Sequence, residues 1–182
     1  MGRRGRSTMG EDPAIFFVTS TVMNFDPIFH LGRDYYLILL HALAWVLKKY
    51  GATLIAYVFM PSHIHLVLEV KEGRMISNLM RDFKKFTSTK IRQKLEAEGR
   101  HSWVERLWEN SPGRKGQVFK LWMDRFDDVV LYSERVLRTK VEYTHQNPVK
   151  GGLVRVPEEW EFSSARDYAG TGKSLLEVNQ DW

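Results

Sequence analysis

Hydrophobic and polar positions along the chain divide it into short alternating runs and longer periodic ones. AIFFVTSTVM (14–23) mixes β-branched and aromatic residues over one strand length after Pro13. From Asp34 to Tyr50 the apolar residues Leu37, Leu40, Leu43 or Ala44, and Leu47 recur at three and four, with Gly51 in the stop position, which predicts a helix. TLIAYVFM (53–60) predicts a second strand, Pro61-Ser62 a tight connection, and HIHLVLEV (63–70) a strand returning beside it. Residues 74–98 carry Ile76, Leu79, Met80, Phe83, Phe86 and Ile91 near one side of a second helix that stops before Gly99. Residues 99–116 read as a long loop or irregular insertion, and QVFKLWM (117–123) as a fourth strand. Ser133 offers an N-cap, and the third helix ends at Asn147 because Pro148 biases that residue away from the α region.

The order β-α-β-β-α-β-α predicts an α+β fold. Its core is a ferredoxin-like antiparallel sheet, βαββαβ, with helices mainly on one face, followed by a C-terminal helix and a tail. Residues 14–168 are read as one domain, 1–13 as a flexible basic arm and 169–182 as the tail, since 182 residues suffice for one core.

Composition narrows the partners. Lys and Arg number 27 against 22 for Asp and Glu, a formal +5 that points to an acidic partner such as nucleic acid. There is no cysteine, so disulfides, thiolate zinc sites and cysteine nucleophiles are excluded and nothing argues for secretion. No apolar stretch approaches the roughly 20 residues of a membrane span, so the expected compartment is the cytoplasm. Arg3, Arg4 and Arg6 sit among Gly and Ser, a composition suited to a mobile arm touching phosphates or to a plain disordered end. No segment resembles a nucleotide-binding loop, so no nucleotide cofactor is expected.

Alternation along a strand puts His63 and His65 on one face, with Ile64, Leu66, Leu68 and Val70 on the buried one. Two imidazoles at a strand's beginning can hold a metal, although His-x-His alone is equally a pair of exposed or core-satisfied histidines. On the third helix Tyr143 and Asn147 are four apart and share a face, with Gln146 also in reach of Tyr143. A phenol and an amide oxygen at that spacing can add a nucleophile and a third ligand, whereas a lone tyrosine at helical spacing is more often core.

AYVFMPSHIHLVLEV resembles the MPNHxH strand of the REP-associated tyrosine transposases, in the single-tyrosine HUH transposase superfamily. LWMDRFDD resembles their tryptophan-led segment, EYTHQNPVKGGLV their YIHxNPVKxGLV signature, and WEFSSARDY extends the likeness to Tyr168. Ser62 in place of Asn, a shifted acidic pair at Asp127 and Asp128, and the charged insert near 100–116 are departures. The resemblance implies DNA transposition by cleavage and rejoining of single-stranded DNA at repetitive extragenic palindrome hairpins through a 5′-phosphotyrosine. It makes Tyr143 the catalytic nucleophile, places His63, His65 and Asn147 around Mg2+ or Mn2+, and implies a nucleoid-associated cytoplasmic enzyme. A monomer is expected, with a dimer as the alternative.

Basic residues of the second helix, among them Arg81, Lys84, Lys85 and Lys90, can line a groove along DNA phosphates, or form an ordinary solvated face. Lys150 is placed to touch a phosphate near the reaction, and Trp103, Trp108, Arg114 and Lys115 either meet unpaired bases or, for the tryptophans, pack in the core. Two other functions compete: a domesticated hairpin-binding protein that no longer cuts, and a metal-dependent phosphoesterase that uses water and would tolerate loss of Tyr143.

Overall fold

The computed structural model describes residues 13–73, 75–109 and 119–182. Arg3, Arg4, Arg6, Arg114 and Lys115 lie outside the described residues. Strand β1 (Ala14–Thr21) pairs antiparallel with β3 (His63–Val70) along its whole length, from Ala14 opposite Val70 to Thr21 opposite His63. Strand β2 (Thr53–Phe59) pairs antiparallel with β3, with an irregularity between Leu54 and Ala56, and β4 (Asp127–Val130) pairs antiparallel with β1. The four strands lie in the order β2-β3-β1-β4, the ferredoxin-like arrangement expected from the element order.

Both faces of this sheet are buried, which is why β2 and β3 read as continuous apolar runs. On one face Phe16, Val18, Ile64, Leu66 and Leu68 pack against helices α1 (Arg33–Tyr50) and α2 (Met75–Ala97), through Leu39, Leu43, Leu79 and Phe83 among others. A short helix α3 (His101–Glu109) adds Leu107 to that layer. On the other face Phe17, Ile55, Ala56 and Val67 meet Leu137 and Val141 of helix α4 (Glu134–Lys150). Each fully buried Leu, Ile or Phe in these layers contributes about 1.5–3 kcal/mol. A last helix, α5 (Ala165–Ala169), belongs to a C-terminal segment that runs along β2: Phe59 N–H donates to Phe162 O, Asn179 N–H to Leu54 O, and the Tyr168 hydroxyl to Ile55 O. That segment covers the sheet edge at β2.

Three sequence expectations are corrected. Part of 99–116 is helical, as α3, because Trp103, Val104 and Leu107 find the α1–α2 layer to pack against. The fourth strand of the sheet is β4; of 117–123 only 119–123 are described, and among them Trp122 makes an isolated bridge to Val22 while its indole donates to Thr87. Helix α4 does not stop at Asn147 but runs through a buried Pro148 to Lys150. Proline's fixed φ suits a helix, the lost N–H falls in the last turns, and Gly151 N–H donating to Asn147 O with Leu153 N–H donating to Pro148 O closes the end. No helix among the described residues is long and apolar enough to cross a membrane.

Candidate active site

His63 and His65 project from β3 on the face covered by α4, the same face as Val67. Their imidazole centroids are 5.0 Å apart, and the rings meet at 75°. His65 is 5% exposed. Phe17 stacks on it at 5.3 Å, and Thr19 Oγ1 lies 2.9 Å from its Nδ1. The Ser62 hydroxyl stands 3.3 Å from His63 Nδ1. Each ring thus has its Nδ1 engaged by a hydroxyl, so Nε2 is the nitrogen left to meet Asn147 or a cation.

Helix α4 brings the second half of the site. Lys140, Tyr143, Asn147 and Lys150 fall at helical spacings of three, four and three, forming a stripe beside the buried one of Leu137, Val141, Thr144 and Pro148. The Tyr143 ring stands edge-on to His65 at 5.3 Å and to Phe17 at 5.8 Å. It is 38% exposed, so a strand of DNA can reach it. Asn147 donates its side-chain N–H to Tyr143 O at 2.7 Å, and its side chain also hydrogen-bonds with both imidazoles. Continuation of the helix past Pro148 carries Lys150 to 5.2 Å from the Tyr143 ring centroid, while Lys140 lies 5.4 Å from that centroid and 4.5 Å from that of Phe17.

Burial dominates the electrostatics of the histidines. Loss of solvation holds the His63 pKa below the ordinary imidazole value, against an opposing Asn147 hydrogen bond. His65 is pushed down to about 3, by burial first and the neighbouring His63 second, with Lys140 adding a smaller repulsion and Asn147 opposing. Both rings are therefore neutral at physiological pH and have lone pairs to offer a cation. The donor set is two imidazole nitrogens and an amide oxygen; among the described residues no group of three His, Cys, Asp or Glu side chains forms a metal site. Such an incomplete shell fits a hard divalent ion that completes its coordination with water and phosphate oxygens, and does not fit a closed structural zinc centre.

The sequence-predicted residues divide into two groups. His63, His65, Tyr143, Asn147 and Lys150 come together; Gln146, the other side chain within helical reach of Tyr143, instead lines a separate cavity between α4 and α5. Arg81, Lys84, Lys85 and Lys90 are on α2, across the sheet from α4. Arg81 contacts Asp82, Lys84 donates to Met123 O, Lys90 to Gln93, and Lys85 is exposed. Lys84, Lys85, Ser88, Thr89, Arg92 and Lys120 line a groove of about 540 Å³ between α2 and residues 119–124. One wall of that groove is stitched to the end of β1 beside His63, through Met123 N–H donating to Thr21 O and Val22 N–H to Ser62 O. Trp103 packs into the core layer, and Trp108 is exposed. Three site residues escaped sequence reasoning: Phe17, Thr19 and Lys140. The Lys140 position is three before Tyr143 and was open to the helical-spacing argument, whereas Phe17 and Thr19 enter only through strand register.

Comparison with known proteins agrees with this fold. Residues 31–112 match the family described as Transposase IS200 like. A Haemophilus influenzae protein assigned to the REP-associated tyrosine transposases is 26% identical over 117 residues, a match that spans 64% of this chain and 61% of the relative's length. The solved structure of a REP-associated tyrosine transposase bound to a REP hairpin superposes with a TM-score of 0.66 at 23% identity, covering 100% of this chain and 94% of that one. A family match over part of the chain that takes in the His-x-His strand, a curated relative at 26% identity and a shared fold over the whole chain point one way: the chain resembles the REP-associated tyrosine transposases and has their fold.

Proposed function

We propose that this protein cleaves and rejoins single-stranded DNA at repetitive palindromic hairpins through a covalent bond to Tyr143. The convergence of Tyr143 from α4 on His63 and His65 from β3 carries the proposal, since an exposed phenol edge-on to a buried imidazole with a second, half-buried imidazole beside it has no packing requirement. Attack by the Tyr143 oxygen on phosphorus forms the phosphotyrosine bond as the bond from phosphorus to the 3′ oxygen breaks. The phenol gives up its proton, the departing 3′ oxygen gains one, and the exchange of one phosphodiester for another needs no nucleotide. Attack by the 3′-hydroxyl of a second strand on the adduct reverses these steps and joins the ends.

His63, His65 and Asn147 would hold Mg2+ or Mn2+, which supplies polarisation of the phosphate and screening of the charge that develops on it. Burial keeps both imidazoles neutral for that task. Asn147 ties its own amide to Tyr143 O and so couples the ligand set to the turn of α4 that bears the nucleophile. Lys140 and Lys150 flank the Tyr143 ring and draw the phosphodiester toward it. The proposed partner is a DNA hairpin, the ligand of the solved relative of the same fold, with the α2 groove accepting part of its backbone. Nucleophile and imidazoles come from one chain, which supports action as a monomer. The polarity of the adduct tests the reading: with Mn2+, a hairpin oligonucleotide labelled at its 3′ end is expected to stay on the protein under denaturing conditions. A 5′ label is expected to leave on a free 3′-hydroxyl fragment, and EDTA to prevent both. Retention of the 5′ label, or cleavage without any adduct, would rule out this chemistry.

A further inference from the structure

Thr19 has no part in the proposed reaction, yet it makes the most direct contact with the imidazole pair. It stands directly opposite His65 in the β1–β3 ladder, with its Oγ1 2.9 Å from His65 Nδ1. Phe17, two residues earlier on the same face of β1, stacks on the same ring with planes 17° apart. The two contacts remove different freedoms. Stacking fixes the plane of the imidazole, and the hydrogen bond fixes its rotation within that plane, with Nδ1 toward β1 and Nε2 left for the α4 side. A threonine hydroxyl both donates and accepts, so it holds the ring in either tautomer, including the one whose Nε2 lone pair is free to bind a cation.

We propose that Thr19 is a positioning residue that aims His65 Nε2 at the divalent ion. The inference rests on the metal-dependent reading above. Ser62 stands in a weaker version of the same relation to His63, at 3.3 Å.

Two substitutions separate orientation from packing. Thr19→Val keeps the branched shape that suits a strand and removes the hydroxyl; Thr19→Ser keeps the hydroxyl and removes a methyl group. Mn2+ titrated into the DNA-free protein, followed by the electron paramagnetic resonance signal of free Mn2+, reads the site without any turnover. The expected result is a dissociation constant about 10- to 100-fold higher in Thr19→Val, the range for loss of an outer hydrogen bond to a ligand, with Thr19→Ser restoring wild-type affinity. A purely structural role predicts the reverse order, Ser weaker than Val, and that outcome overturns the proposal. Wild-type binding with undiminished affinity in Thr19→Val overturns the role of Thr19 and leaves the metal reading intact. Absence of Mn2+ binding in the wild type overturns both.

Discussion

Lys140 holds a position that by itself disfavours a bound cation, since its ammonium repels charge on His65 and stands over the rings of Phe17 and Tyr143. The placement suits an enzyme whose second ligand is a phosphodiester, because the anion neutralises both the lysine and the metal. Lys140→Met is therefore expected to slow adduct formation by about 10- to 100-fold, somewhat less than loss of an oxyanion donor. Hairpin affinity is expected to change little, and Mn2+ affinity in the absence of DNA to rise rather than fall. A variant with wild-type cleavage would show that Lys140 only packs on Phe17.

Helix α4 shows how one element assembles a site from spacing. Its cap, Ser133 accepting from Val136 N–H, and its run through Pro148 give it the length to carry Lys140, Tyr143, Asn147 and Lys150 on one stripe. The helical and strand periods behind this were legible: β1, α1, β2, β3 and α2 lie close to where the apolar pattern put them, and alternation correctly put His63 and His65 on one face. The face of α1 was less so, since it buries Leu39, Leu43 and Val46 while Leu37 and Leu47 are only half-buried and Ala44 is exposed. Less legible were elements whose apolar partners are remote. Strand β4 alternates exposed and half-buried residues at a sheet edge, and α3 is nine residues long with its apolar side completed by α1 and α2. Thr19 and Phe17 were hidden for the same reason, since register between strands is set by the assembled sheet and not by local sequence.

The α1–α2 pair carries its own prediction. Lys49 and Tyr50 of α1 both donate to Asp82 of α2, at 2.6 and 2.7 Å, and hold its carboxyl down to about 2; Lys94, Arg100 and Tyr35 hold Glu98 down to about 2. Carboxyls depressed by folding contribute stability above their unfolded pKa, near 4, that is lost as the pH falls through about 2. Asp82→Asn is expected to lower the melting temperature at pH 6 and to melt with the wild type at pH 2. A melting-temperature difference that persists unchanged to pH 2 would contradict the assignment.

At the scale of the molecule the sheet separates the proposed chemistry from the proposed grip. The Tyr143 stripe lies on α4, the basic groove beside α2, and residues 121–123 join the two around the end of β1 next to His63. A hairpin whose backbone lies in the groove can pass its single-stranded flank to Tyr143 over that edge. Reversing the groove residues Lys85 and Arg92 to Glu should weaken hairpin binding and reduce the slope of log affinity against log salt by about 2, near one for each phosphate no longer neutralised. An unchanged slope would return α2 to the role of a solvated surface.

The proposed reaction turns on Tyr143 as the nucleophile. The direct measurement is to incubate wild type and Tyr143→Phe with a labelled single-stranded hairpin and Mn2+, and compare hairpin affinity with the protein-linked band on a denaturing gel. Near-wild-type binding with complete loss of the band is the predicted result. A covalent band that survives in Tyr143→Phe would place the nucleophile elsewhere and contradict the site described above.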